Sequence, residues 1–560
     1  MNTPSTFQQG VTQATSSSSP SSCSWTDQIG HMVESIFSSK TAEQIFQRYL
    51  DNFAPKCPIV VFPTGTTTAL VRETKPLLFL SIISIASAGY CTISQQRDLA
   101  VNVRLYLADR AVVRGEKSIE IVQALQVVSF WYRAPDDYKQ MNLNQLASIA
   151  TTMAIDLGLD RIEVTKPAGK VEEMWDRAEA QRAWLGCLLL SASLSLILRR
   201  PNSLAWSSQY DDYVADLRRT KTSPTDEFLC ITVTAEGICH AVNQELSLTD
   251  SATSASLSDP TKLTRIQQYK SQIECLPLER IPSMNKSLVE FGRYASLLYL
   301  HELVLHVNHN IDEFKAPFSV KSLETCNFID MHDLDPSRIS MLRAIIRAAQ
   351  GLLDTFLGLS TSDMIALPPH MYGGRVIYAV VLLLKLYKAI TLSGPAINDY
   401  VTADELRLEV YIEHLVLVSR SLIAQDDRSA LSRSFLVMPQ LKQWLHSHQP
   451  KISPGSDETE TAEVLPFQTG AGSLSTTIQT LTATLGVPST QTQTPEMTHL
   501  ERLDGLRQSD GPIQSSKSSD YPIVHNGGTE FEPNRHEPAS DSWFWEFFNV
   551  DMLHQNAHSS

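Results

Sequence analysis

Apolar residues along this chain recur at helical spacing over one long stretch, from about residue 28 to residue 448. They fall in segments of roughly a dozen to two dozen residues, separated by short turns with Pro, Gly, Asn or Ser. Strand-type alternation is scarce, so the pattern predicts an all-α body. Ser118 to Tyr132 puts Ile121, Leu125, Val128 and Tyr132 on one helix face. Asn142 to Leu157 does the same with Leu146, Ile149, Met153 and Leu157, and Gly158 follows as a left-handed C-cap. Thr41 reads as the cap of a helix that turns Ile45, Tyr49 and Leu50 inward; Cys57-Pro-Ile-Val-Val-Phe-Pro63 then reads as a proline-bounded connector across helix ends. Val171 to Leu198 opens charged, with Glu172, Glu173, Asp176 and Arg177, and turns almost wholly apolar, as a helix does that runs from the surface into the centre. Further helices are expected near 226–247, 285–309, 336–358, 372–391, 403–423 and 429–446.

The flanks lack this period. Residues 1–27 are Ser, Thr, Gln and Pro, a composition with too little apolar surface to fold, and 449–540 are rich in Ser, Thr, Gln and Gly, which marks a linker. The chain then changes character at Asp541-Ser-Trp-Phe-Trp-Glu-Phe-Phe-Asn-Val-Asp-Met-Leu553. Trp543, Phe544, Trp545, Phe547 and Phe548 stand among three acids with no Lys or Arg, so 541–560 reads as an acidic-aromatic tail that folds on a partner. As a helix it places Trp543, Phe547 and Val550 at i, i+4, i+7, the layout that docks into an apolar groove. These five aromatics are the candidate partner-binding residues; the alternative is that the tail packs back on its own body as a terminal helix.

Charge narrows the classes. With 46 Lys and Arg against 61 Asp and Glu, the formal net charge is −15, which disfavours non-specific phosphate binding. The short basic strings Arg199-Arg200 and Leu217-Arg-Arg-Thr-Lys221 read as solvated helix ends or loops. Eight cysteines lie far apart, mostly in apolar runs, and read as buried, reduced thiols of an intracellular protein. Leu77–Cys91, Trp184–Leu198 and Val376–Leu384 are apolar but short of the roughly twenty residues of a membrane span, so core helices are expected. In His301-Glu-Leu-Val-Leu-His306 the two imidazoles stand at i, i+5, roughly 140° apart, which cannot clamp one zinc; His306 and His309 share a face without a third ligand. No phosphate loop, Gly-x-Ser-x-Gly or Cys-x-x-Cys appears, and Glu172-Glu173 and Asp211-Asp212 read as solvated acids. The expectation is a non-enzyme with no cofactor or metal.

Several runs resemble the regulatory region of fungal zinc-binuclear-cluster transcription factors. They are Ala42-Glu-Gln-Ile-Phe-Gln-Arg-Tyr-Leu50 through Pro63, Thr74-Lys-Pro-Leu-Leu-Phe-Leu80, Gly115-Glu-Lys-Ser-Ile-Glu-Ile-Val122 with Trp131-Tyr132, and Met153-Ala-Ile-Asp-Leu-Gly-Leu-Asp-Arg161. Glu179-Ala-Gln-Arg-Ala-Trp184 followed by Arg199-Arg-Pro-Asn202 is similar to that family's central homology block, in the form of the protease-activator and weak-acid-response branch. The resemblance covers about residues 41–215. It implies a nuclear regulator, an all-helical regulatory domain, a C-terminal activation segment and coactivator partners, in a family that governs pathways such as secondary-metabolite clusters or secreted hydrolases. It also implies a six-cysteine, two-zinc DNA reader, yet the first forty residues hold only Cys23. DNA reading is therefore expected from a DNA-bound partner factor or from an upstream exon missing from this sequence. A helical adaptor with a self-docking tail is the alternative.

Overall fold

A computed structural model describes residues 25–448, apart from 134–140, 165–169, 249–258, 306–334, 393–399 and positions 200, 201, 203, 205, 247, 427 and 428. Among the described residues there is no strand; the fold is all-α, as the periodicity requires. The first group of helices is α1 (Trp25–Ile36), α2 (Ser39–Arg48), α3 (Thr68–Thr74), α4 (Pro76–Ala86), α5 (Ile93–Ala108), α6 (Ile119–Phe130) and α7 (Leu143–Asp156). The second is α8 (Val171–Leu198), α9 (Ser208–Thr220), α10 (Asp226–Leu246), α11 (Pro260–Glu274) and α12 (Ser283–His301). The third is α13 (Pro336–Leu357), α14 (Thr361–Ile365), α15 (Pro369–Leu392), α16 (Leu408–Gln425), α17 (Ala430–Ser434) and α18 (Met438–Ser447).

Local chemistry sets the ends. Ser118 caps α6 by accepting the Ile121 N–H, and Gly158 takes φ 73° after α7. At α2 the cap is Ser38, whose Oγ accepts the Thr41 N–H at 3.1 Å, so Thr41 lies inside the helix it was expected to open. The helix expected over 429–446 is broken into α17 and α18 by a tight turn at Phe435–Val437, with Pro439 in the first turn of α18 where its missing N–H does no harm. The one expected from residue 403 starts at Leu408, because Arg407 adopts φ 51°.

Packing follows from how much of each helix is apolar. Every residue of α4 is buried, enclosed by α2, α5 and α6. α8 has exposed acids in its first turn, and its apolar half is buried against α6, α7, α10 and α15. It is long and apolar enough to cross a membrane, but 78% of its most apolar window is covered by its own fold, which makes it a core helix. Contacts between residues far apart in sequence close the body into one core from Ile29 to Leu445. Trp131 donates its indole N–H to the Ala366 carbonyl at 2.8 Å and meets Tyr49 and Phe53 edge-on at 6.0 and 5.7 Å. Arg133 pairs with Asp426 at 3.0 Å, and Asn285 donates to the Pro55 carbonyl at 2.8 Å.

A charge also lies deep in this core, Arg182 on α8. Its Nε lies 2.8 Å from Asp226 Oδ1 and its Nη2 3.0 Å from Oδ2, and that carboxylate also accepts the Ser223 N–H at 2.9 Å. The pair thereby fixes the start of α10 to the middle of α8. Removing one partner leaves the other charged and dry, so Asp226→Ala is expected to lower unfolding free energy by about 3–5 kcal/mol. Arg182→Met with Asp226→Leu is expected to recover most of that loss, as measured by denaturant unfolding followed by circular dichroism.

Candidate functional site

Trp543, Phe544, Trp545, Phe547 and Phe548 lie outside the described residues, as do His306, His309, Arg200 and Pro201. His301 ends α12 and is buried, and no group of three or more His, Cys, Asp or Glu among the described residues could hold a metal. Glu172, Glu173, Asp211 and Asp212 are exposed. Cys57, Cys187, Cys230 and Cys239 are buried, and burial alone pushes the Cys187 thiol up to about 12, which leaves it inert. Cys275 departs from the expected pattern by being exposed.

The residue that sequence reasoning placed wrongly is Arg199. It was expected as a solvated helix end, yet only 5% of it is exposed. It closes α8 with φ 51°, an unfavourable conformation for a residue with a Cβ, and its N–H bonds the Ser195 carbonyl. The gain is inside the body. The guanidinium lies 4.6 Å from the Tyr299 ring centroid and 4.9 Å from that of Tyr378, and it pairs with the fully buried Glu302, which also accepts the Tyr378 hydroxyl. Beside this knot, Arg375 on α15 pairs with Glu236 on α10; burial opposes the Arg375 charge, but the carboxylate outweighs burial and holds its pKa above the usual value. Two ion pairs thus join α8, α10, α15 and the turn after α12.

A cavity of about 50 Å³ adjoins both arginines, with Leu196, Cys239, Ser296, Leu352 and Gly374 also in its wall. One water needs roughly 10–15 Å³ and a benzene-sized guest about 150 Å³ by the same measure, so this space suits a few waters. Arg199 Nη1 and Glu236 Oε2 are buried without a partner, and such waters satisfy groups of this kind. The knot is structural chemistry: it locks the end of α8, the longest helix among the described residues.

The outer surface carries a second feature that periodicity reasoning overlooked. α5 buries Leu99, Val103 and Leu107 against α4, but Val101 and Leu105, about 200° around the helix from Val103, face outward. Leu105 is 61% exposed, and Val112 (62%) and Val113 (77%) are exposed in the wide helical turn Asp109–Val113 that follows. Arg97, Asp98 and Arg104 belong to the same helix, and beyond its end Arg110, Arg114 and Lys117 are paired with Glu116, Asp109 and Asp156. The signal was available in the sequence: α5 is apolar on two faces, where a surface helix needs one.

The buried residues of the motif runs 42–63, 74–86 and 115–132 lie in the core of this all-helical body. The chain matches the family described as the WAR1 C-terminal domain over residues 13–419, and it belongs to that family. It is similar to the transcription factor pbcR of Emericella nidulans, 29% identical over 371 residues that make up 63% of this chain and 46% of that protein. It is also similar to the transcriptional regulator WAR1 of Candida albicans, 21% identical over 64% of this chain and 36% of the relative. The transcription factor himD of Aspergillus japonicus is 23% identical over 79% of this chain and 71% of its own length. The chain therefore spans about half the length, or less, of the first two relatives. No solved structure matches it.

Two buried histidines make the body acid-sensitive. Burial, helped by Lys270 and Arg347, lowers the pKa of His301 to about 4, and burial with Arg375 nearby lowers that of His370 to about 3. Both rings are neutral in the folded chain and regain the ordinary value near 6.5 on unfolding. The unfolded chain therefore binds more protons below pH 6.5, and stability falls from there until each folded pKa is reached. Between about pH 7 and about pH 5, His370→Phe is expected to remove about 2 kcal/mol of the pH-dependent loss, measured as unfolding free energy at each pH.

Proposed function

We propose that this chain is the regulatory and activating part of a fungal transcriptional activator that works in the nucleus and controls a pathway or gene cluster. The observation that carries the reading is the family match over residues 13–419, which spans nearly the whole helical body; the names of the relatives, all transcription factors or regulators, support it. The acidic-aromatic tail supplies the output. Its five aromatics offer anchor surface and its acids keep that surface soluble until a coactivator covers it. The helical body acts as a clamp on this output, and the intervening stretch 449–540 is long enough to let the tail reach either the body or a coactivator. DNA reading is supplied outside this helical body, by a zinc module joined to the chain or by a DNA-bound partner factor. No step calls for catalysis, a cofactor or a metal within the body.

Fused to an unrelated DNA-binding domain, residues 541–560 are expected to activate a reporter gene; a silent fusion removes the activator role. Trp543→Ala with Phe547→Ala is expected to abolish that output, since anchors of this kind are each worth about 2 kcal/mol or more at an interface. In the whole chain joined to the same domain, deletion of 60–440 is expected to raise activation, and unchanged output argues against the clamp.

A further inference from the structure

We propose that the groove between α7 and α8 is a binding site for an uncharged carbonyl compound: a lactone, ester or ketone with a hydrocarbon body. Three observations carry it, and none depends on the reading of the tail as an output segment. The first is space. The groove has a volume of about 440 Å³, against about 50 Å³ for the cavity beside Arg199. By the same measure a benzene-sized guest needs about 150 Å³, so a molecule of about a dozen heavy atoms fits. The cause is local. α7 packs on α8, yet on this side it turns Ala147, Ser148, Thr151 and Thr152 to the groove, and α8 answers with Ser191 and Ser195. These side chains are too small to fill the valley that two contacting helices normally close with large, interdigitated residues.

The second observation is the lack of charge. No Asp, Glu, Lys, Arg or His stands among the described residues of the wall, in a chain with 46 Lys and Arg and 61 Asp and Glu. Charged side chains crowd most protein surfaces, so an open groove without one is a selective environment. An ionised ligand would give up hydration there and gain no partner. A neutral one finds hydrogen-bonding groups at Asn144 and Thr152 and an apolar bank of Leu194, Leu204 and Ile155, which hydrocarbon covers better than water does.

The third is an unmet donor. Asn202 lies in the wall, and its Oδ1 accepts the Ser191 hydroxyl at 2.6 Å and the Leu204 N–H at 3.1 Å, which fixes the orientation of the carboxamide. Its Nδ2 is buried without a partner. A carbonyl oxygen in the groove supplies the acceptor that this amide lacks, while the rest of the molecule lies on the leucines. A guest held in this way touches both helices, so its binding stabilises the body by linkage.

The test uses the full chain and δ-decalactone, a neutral ring ester with an alkyl tail, followed by saturation-transfer NMR and by the unfolding midpoint. Expected are saturable binding and a midpoint that rises with lactone concentration. The ring-opened hydroxy acid has the same skeleton with a charge, and it is expected to bind at least about tenfold more weakly. Thr152→Phe fills the groove from an exposed position, so the midpoint without lactone is expected to stay put while affinity falls about tenfold or more. Asn202→Asp retains an oxygen for Ser191 and Leu204 but replaces the unmet donor, and it is expected to lose lactone binding as well. A diazirine derivative of the lactone is expected to label residues 144–155 or 191–204. Absence of saturable binding, undiminished binding by Thr152→Phe, or a hydroxy acid that binds as well as the lactone overturns the proposal. These measurements need neither the tail nor a reporter gene: their failure leaves the activator reading standing, and a silent tail fusion leaves this site standing.

Discussion

Everything in this body depends on enclosing helices that are apolar on all sides. α4 is buried at every position, and the second half of α8 and the middle of α15 come close to it. Such helices cannot lie on a surface, because a fully apolar side chain gains about 1.5–3 kcal/mol when removed from water. The amphipathic helices around them each contribute one stripe, and the resulting shell explains why residues as far apart as Trp131 and Ala366, or Asn285 and Pro55, are bonded.

Placing arginines inside that shell adds a second constraint. Arg182, Arg199 and Arg375 all reach the interior, and each brings its own carboxylate: Asp226, Glu302 and Glu236. Such pairs give little net stability over apolar replacements, but a lone survivor is costly, so they tie specific helices to specific neighbours. In this chain they set α8 against α10, α15 and the turn after α12. The same enclosure holds His301 and His370 neutral, which links the integrity of the body to pH. What the shell leaves over is equally informative. α5 satisfies α4 with one face, and on its other side Val101 and Leu105 stay exposed among the described residues.

Local signals were legible. The boundaries of α8, the Ser118 cap of α6 and the Gly158 stop after α7 all follow from residues within a turn of the feature they control. Two breaks were not read, at Phe435–Val437 and at Arg407, because the apolar period continues across both while the backbone does not. Arg199 was misread for a different reason. A basic pair at a helix end is solvated unless something distant claims it, and Glu302 lies 103 positions away. The tail aromatics are a reading of composition and spacing alone, and they lie outside the described residues.

The sequence by itself determined that this protein is helical, where most helices begin and end, which helices must be central, and the family to which the regulatory region belongs. The helical properties are written in spacing, caps and apolar fraction, and the family in the motif runs that resemble it, all of them local. Tertiary structure decided which charges go inside, which helix each one ties down, and which apolar face is left open. These depend on pairings across hundreds of residues, and the free energy of a buried charge or an uncovered stripe is set by what the rest of the chain brings against it.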